Sequence, residues 1–393
     1  MKEERRNFIR LTTTMATGIL VAGTFSGCFD KTAENATSNN TNNHDEKDIR
    51  FKILSYAILA PNPHNKQPWL VKMKDELNFD LYVDTQRTLP HTDPPFRQIH
   101  IGQGTFLENL NLAALNFGYH AIINYFPQGE YSNSVIEHKP VASIQLVKTN
   151  QIKKDELFDQ ILTRQSNKRE YTNEKAPLKK LKILKDQIKA ELEKESGFSL
   201  NISSKQDHVQ KLRTIAVNGM KIETGNHDRD METIKMFRFN KEEINQYKDG
   251  FGLAQSGVTG MKKFMIENLF LSRESAQKDP ATFGKEAISI TQKQVDSTNT
   301  FAWLSTKTNT RLDQVKIGRV YERINLLATS LGLVIHPISQ VLQEYSDMTP
   351  LQEEFLNYLK VPQNHTVQMF FRIGVASPVE HSPRRDIKDL LIG

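Results

Sequence analysis

One cysteine in 393 residues leaves no partner for an internal disulfide and nothing from which to build a thiolate metal cluster. HExxH is missing, and so are G-x-S-x-G and any paired-cysteine signature, so zinc hydrolysis and acyl-enzyme chemistry have no support and no metal ligands are assigned. Gly102-Gln103-Gly104 begins like a dinucleotide fingerprint but lacks the third glycine and the strand-helix-strand frame around it. Long apolar runs are equally scarce, since the one near the start, residues 15–25, is too short and too mild to span a bilayer. The net charge of +6 looks basic, yet Lys and Arg are interspersed with Asp and Glu instead of gathered with aromatic residues. That pattern argues against a nucleic-acid partner.

What is present starts with Arg5-Arg6-Asn7-Phe8-Ile9-Arg10 ahead of that short apolar run, an arrangement similar to a twin-arginine export signal. The run ends at Phe25-Ser26-Gly27-Cys28, which resembles a lipoprotein processing site with Cys28 as the acylated residue; the plain alternative is a cleaved signal with an incidental cysteine. Residues 30–48 have almost nothing to bury and read as a disordered tether. The expectation is an export signal over 1–27, a tether over 28–49, and a periplasmic or cell-envelope protein held to the membrane through lipid on Cys28.

The body of the chain carries a repeat. GTFLENLNLAALNFGY, residues 104–119, returns as GRVYERINLLATSLGL from residue 318, with Gly104 on Gly318, Glu108 on Glu322, Asn111 on Asn325, Ala114 on Ala328 and Gly118 on Gly332. Apolar side chains at three- and four-residue steps with few polar interruptions predict two helices covered on most sides. Gly118 and Gly332 stand where a chain leaving a helix needs a left-handed residue, and strand-like runs follow. Two buried helices rich in Leu and Ala can look alike by coincidence, but a matched Asn favours duplication, with related lobes over 50–150 and 151–393.

Between an amphipathic stretch and two strand-like runs lies Ala60-Pro61-Asn62-Pro63-His64-Asn65-Lys66-Gln67-Pro68-Trp69. Three prolines stiffen it and present the amides of Asn65 and Gln67 at fixed positions. Those amides suit either a planar heterocycle or the capping of neighbouring backbone. This segment resembles the APS-x-x-N-x-QPW segment of the nitroreductase family, FMN-dependent enzymes, and the chain from residue 50 onward is similar to that family's fused, double-length branch. The resemblance implies an α+β nitroreductase-like fold, a pseudo-dimer within one chain around two central helices, and FMN as cofactor. Asn65 and Gln67 would then face the flavin, with Pro63 and His64 shaping its pocket.

In the second half, Arg164-Gln165-Ser166-Asn167-Lys168-Arg169-Glu170-Tyr171 places three cations, a hydroxyl and an amide in a compact turn that suits an anion or is merely a solvated loop. It is similar to the R-x-T-N-R-x-x-F pattern of the fused branch, with Lys168 in place of the second arginine. Pro337, Ile338 and Ser339 lie in a stretch resembling the one that passes flavin N5, and Arg384 and Arg385 match C-terminal arginines that complete a phosphate site. Met231, Met236, Phe237, Phe239, Met261, Phe264 and Met265 read either as plain core or as a lid over residues 230–275. Chemistry on the flavin itself needs no protein nucleophile. The implied partners are NAD(P)H or a membrane quinol as donor and a nitroaromatic, quinone or similar acceptor, with a monomer or weak homodimer as the assembly. A sealed, non-catalytic flavin store or sensor is the alternative.

Overall fold

The structure, a computed structural model, describes residues 48–150, 153–172, 176–195, 197–258, 263 and 272–393. The export signal, Cys28, nearly all of the tether, and Met261, Phe264 and Met265 of the expected lid lie outside the described residues.

In chain order the elements are α1 (Ile49–Ala57), β1 (Trp69–Met73), β2 (Asn78–Val83), α2 (Arg97–Asn116), β3 (Tyr119–Tyr125), β4 (Ala142–Lys148), α3 (Leu178–Glu193), β5 (Ser199–Ser203) and α4 (Gln206–Glu223). There follow α5 (His227–Met236), α6 (Lys241–Tyr247), α7 (Arg273–Lys278), α8 (Pro280–Asp296), β6 (Phe301–Thr306), α9 (Arg311–Ser330), β7 (Val334–Pro337), α10 (Thr349–Tyr358), β8 (Thr366–Gly374) and β9 (Leu391–Ile392). This is the α+β architecture the sequence suggests. One sheet has the order β3-β4-β2-β1-β9 and the other β5-β6-β8-β7. Ladders are antiparallel except that β9 joins β1 in parallel. The end of the second half thus completes the sheet of the first.

β8 is buried on both faces because helices cover both. Met369, Phe371 and Ile373 pack with Ile324 and Ala328 of α9, while Val367 and Phe370 pack with Leu212 and Ile215 of α4 and Phe355 of α10. Alternation along a strand sends neighbours to opposite layers, so a run buried at almost every position, Gln368 and Arg372 included, belongs between two helical covers.

The repeated helices meet at their repeated glycines. A Cβ on Gly104 would lie 1.9 Å from the Val315 carbonyl oxygen and 2.9 Å from the Gly318 Cα, and one on Gly318 would lie 2.1 Å from the Ile101 carbonyl and 3.0 Å from the Gly104 Cα. Each glycine presses on the residue three before the other. The two glycines thus make matching contacts in both directions. The helices leave the crossing alike as well, ending at Gly118 and Gly332 with φ of 84° and 65°.

Candidate functional site

The proline-rich loop is held in an uncommon backbone. His64, Asn65 and Gln67 all have positive φ, at 49°, 50° and 52°, a region that costs non-glycine residues about 1–3 kcal/mol each and persists only where surroundings impose it. Here the imposition is visible. Asn62 Oδ1 accepts from the Gln67 amide at 2.7 Å, Asn65 Nδ2 donates to the carbonyls of Gly250 and Pro383 at 3.0 and 2.9 Å, and the Gly250 amide donates to the Asn65 carbonyl. The loop is therefore stitched to two distant segments, and its other side faces a cleft of about 240 Å³.

The charged turn forms a second wall. It runs beside β7, with Ser166 bridged to Ile335 and the Asn167 amide donating to the Ile335 carbonyl. Arg372 of β8, fully buried, pins it from behind: its guanidinium donates to the carbonyls of Arg169 and Gln294 at 2.6 and 2.9 Å and to His336 Nδ1 at 3.0 Å, and stacks 3.8 Å from the Tyr171 ring. So fixed, the turn sends Arg164, Gln165, Ser166 and Lys168 to the cleft.

At one end of the cleft two arginines converge on the same carbonyl. Arg164 Nη2 and Arg384 Nη2 donate to the Leu59 oxygen at 2.9 and 3.0 Å, and Arg384 also reaches the Ile58 carbonyl and Asn65 Oδ1. Burial, reinforced by Arg164, pushes Arg384 down to about 9. Among the described residues the acid at this pair is Glu322, whose Oε1 is 3.3 Å from Arg164 Nε, and burial outweighs that arginine to push its carboxyl up to about 8. Two cations facing an acid held mostly in its neutral form leave a surplus of positive charge. An anion would be stabilised there.

The rest of the lining mixes apolar side chains, Ile101, Phe251 and Met369 among them, with polar groups that are mostly uncharged. Burial, then Lys168 and Lys66, push His64 down to about 3, and burial and Arg372 hold His336 well below its ordinary value. Lys168, pushed down to about 8 by burial, sits 4.2 Å over the Phe251 ring. His64 Nδ1, Tyr321 Oη and Gln340 Oε1 line the cleft, are buried, and lack hydrogen-bond partners. Orphaned polar groups around a cavity with a cationic end suit a phosphorylated heterocycle edged with donors and acceptors; FMN answers to that description.

Of the residues singled out in the sequence, Pro63, His64, Asn65, Arg164, Ser166, Lys168, Pro337, Ser339 and Arg384 share this cleft. Four do not face it. Gln67 is 1% exposed and clamps backbone, donating to the Lys248 carbonyl and accepting from the Arg385 amide at 2.8 Å each. Arg385 turns the same way, onto the Gln67 carbonyl and Asp84. Asn167 caps its own turn and donates to the Ser377 carbonyl. Ile338 points into the core under β8 because its neighbours Pro337 and Ser339 take the cleft side; alternate residues of extended chain face opposite ways. Arg97 and His100 are structural, bound to Gln368 and to Tyr131. Of the expected lid, Phe237 and Phe239 form a small core with Leu253, whereas Phe251 and Gln255 line the cleft. Sequence reasoning missed Thr105 and Tyr321, hidden in helices read only as buried, and Glu223, which no motif marks.

No protein-family model matches the chain. A Mycobacterium tuberculosis protein named "Putative NAD(P)H nitroreductase" is 23% identical over 358 residues, covering 90% of this chain and 93% of its own. Among solved structures, a "putative nitroreductase" from Anabaena variabilis aligns with 88% of this chain and 91% of its own at 11% identity and a TM-score of 0.44. The FMN-dependent nitroreductase NfnB from Mycobacterium smegmatis, solved with NADPH, aligns with 58% of this chain and 94% of its own at 12% identity and a TM-score of 0.36.

Proposed function

We propose that this chain is an FMN-dependent oxidoreductase of the nitroreductase type, taking electrons from a donor and passing them to a nitroaromatic, quinone or similar acceptor. The observation that carries the reading is the paired Arg164 and Arg384 at the end of a cleft whose remaining polar atoms lack partners. The arginines and Ser166 would hold the phosphate; His64, Asn65, Tyr321, Pro337, Ser339 and Gln340 would bracket the ring. FMN supplies the two-electron chemistry when bound. The protein holds the ring against rigid loops, keeps His64 and His336 neutral beside it, and offers Lys168 as a cation where negative charge would build on reduction. The name of the M. tuberculosis relative favours a nicotinamide donor; export would favour a membrane quinol.

The purified protein is expected to show a flavin absorption band or to acquire one on titration with FMN, and Arg164→Ala to lower that affinity by about 100-fold, as removal of a charge-assisted phosphate contact does. Protein that takes up no FMN would sink the reading. A flavin store is the second reading, favoured by the paired bonds between Asn65 and Gly250 that hold a covering segment on the proline loop. Stopped-flow reduction by NAD(P)H and by quinol analogues separates the two, since a sealed store reacts slowly with both.

The same reading makes the chain a fusion of two related halves, supported by the reciprocal glycine contact, and an exported lipoprotein, supported by the twin-arginine-like segment and Cys28. Labelling with a radioactive fatty acid, lost in Cys28→Ala, tests the anchor.

A further inference from the structure

Glu223 ends α4 and enters the cleft for a reason that begins one turn earlier. A Cβ on Gly219 would lie 3.1 Å from the Val341 amide nitrogen and 3.2 Å from Gln340 Cβ, so the helix rests directly on residues 340–341. Positions four apart share a helix face, and Glu223 is thereby carried against Gln340 and into the cavity lining. Glu223 is 8% exposed, and its carboxyl is hydrogen-bonded by the Gln340 amide and 3.5 Å from Tyr345 Oη, which itself donates to the Thr92 carbonyl at 2.9 Å. Arg229 lies over the Tyr345 ring at 3.9 Å but is paired with Asp347 at 2.7 Å. Lys168 across the cleft, Arg229 and Asp230 on the next helix, and Asp93 and Glu232 beyond Tyr345 are the charged groups that bear on this region.

Reducing a nitro group or a quinone carbonyl moves two electrons and one proton as a hydride and leaves an oxygen that must take a second proton. His64 and His336 are neutral and poor acids at neutral pH, and Lys168, the cation of the lining, is held over the Phe251 ring across the cleft. Burial pushes the Glu223 carboxyl up to about 7, so a large fraction is protonated when the enzyme works. We propose that Glu223 is a catalytic residue that hands this second proton to the acceptor oxygen. The proposal rests on the functional reading above. The carboxylic O–H bond breaks, the acceptor O–H bond forms, the electrons come from the nicotinamide or quinol donor by way of the cofactor, and water returns a proton to the carboxylate.

The test uses the full chain loaded with FMN, p-benzoquinone as an acceptor that takes a proton, and ferricyanide as one that takes only electrons. In Glu223→Gln the ratio of quinone to ferricyanide rates is expected to fall by about 100-fold, the low end for loss of a positioned general acid, with partial recovery in Glu223→Asp. The wild-type quinone rate should decline as pH rises through about 7, a decline absent from the glutamine variant. Infrared difference spectra between acid and alkaline pH should contain a carboxylic C=O band that Glu223→Gln removes. A variant that holds FMN and keeps the wild-type ratio, or an unchanged infrared band, overturns the assignment alone. Wild-type protein that holds no FMN overturns the functional reading with it.

Discussion

Around the crossing of α2 and α9 the same register positions are used twice with opposite results. On one side Gly102 and Thr105 face the cleft. Their equivalents, counted from the paired glycines, are Lys316 and Arg319. Lys316 pairs with Glu195 at 2.8 Å, and Arg319 donates to Glu108 at 2.7 Å and to Tyr125 Oη at 2.6 Å. The acids correspond too. Glu322 meets Arg164 without a hydrogen bond, and Asn109, with its amide nitrogen turned toward the acid, donates to it at 2.9 Å; Glu108 instead holds both Arg319 and Arg323, and Arg323 continues to Asp155. Small residues leave a cavity beside one end of the helix pair, while long cations and their acids fill the space beside the other. The backbone arrangement is shared, and side-chain length decides where a ligand can enter.

The largest effect should come from breaking what both sides share. Gly318→Leu drives a side chain into the Ile101 carbonyl and the Gly104 backbone, neither of which can rotate away, so a loss of more than about 3 kcal/mol is expected, above the usual range for overpacking. Urea denaturation reads this, and an unchanged midpoint would mean that the helices do not cross at these glycines. Next comes conversion of the open side into the filled one. Thr105→Arg places a guanidinium where it can reach Glu322 as Arg319 reaches Glu108, so the fold should survive while FMN affinity drops by about 100-fold, roughly 2.7 kcal/mol. Retained binding would place the ring elsewhere. The reverse change, Arg319→Met, leaves Glu108 with Arg323 alone. About 2 kcal/mol of stability should be lost, less than for a fully buried pair because the Arg319 side chain keeps 25% exposure. FMN affinity should hold.

Much of this frame was legible beforehand where a local pattern has a local cause. Helical periodicity and matched glycines gave α2 and α9, and the left-handed exits at Gly118 and Gly332 needed no tertiary information. β9 was invisible, since two residues in a parallel ladder have no pattern of their own. The site divided along the same line. Residue type in a rigid loop brought Asn65 and Arg164 to attention, but type does not fix direction, and the amides of Gln67 and Asn167 satisfy backbone groups that would otherwise be buried without partners. Glu223 had no local signal because its place depends on Gly219 seating α4 against residues 340–341. Thr105 could have been found from the repeat, by asking where two matched helices differ most in side-chain volume.

The smallest expected effect concerns the two acids. Glu322 is fully buried and its carboxyl is pushed up to about 8, chiefly by burial and against the pull of Arg164. A carboxyl whose value rises on folding binds a proton more tightly in the folded chain, so the stability it contributes is complete below the ordinary range of glutamate, near pH 4.5, and is lost as pH rises through about 8. Asp93 and Glu223, each pushed up to about 7 by burial, slope the same way, so the wild-type curve alone assigns nothing. The difference between wild type and Glu322→Gln does, because the glutamine keeps the shape and removes only the titration. Melting temperatures should run nearly parallel at pH 5 and then diverge in favour of the variant as pH rises through about 8. Glu108→Gln should cost stability across the range, because it removes the charge that Arg319 and Arg323 share. Parallel curves for Glu322→Gln across the whole range would mean that Glu322 is charged like its counterpart, and the positive surplus at Arg164 and Arg384 would vanish with it.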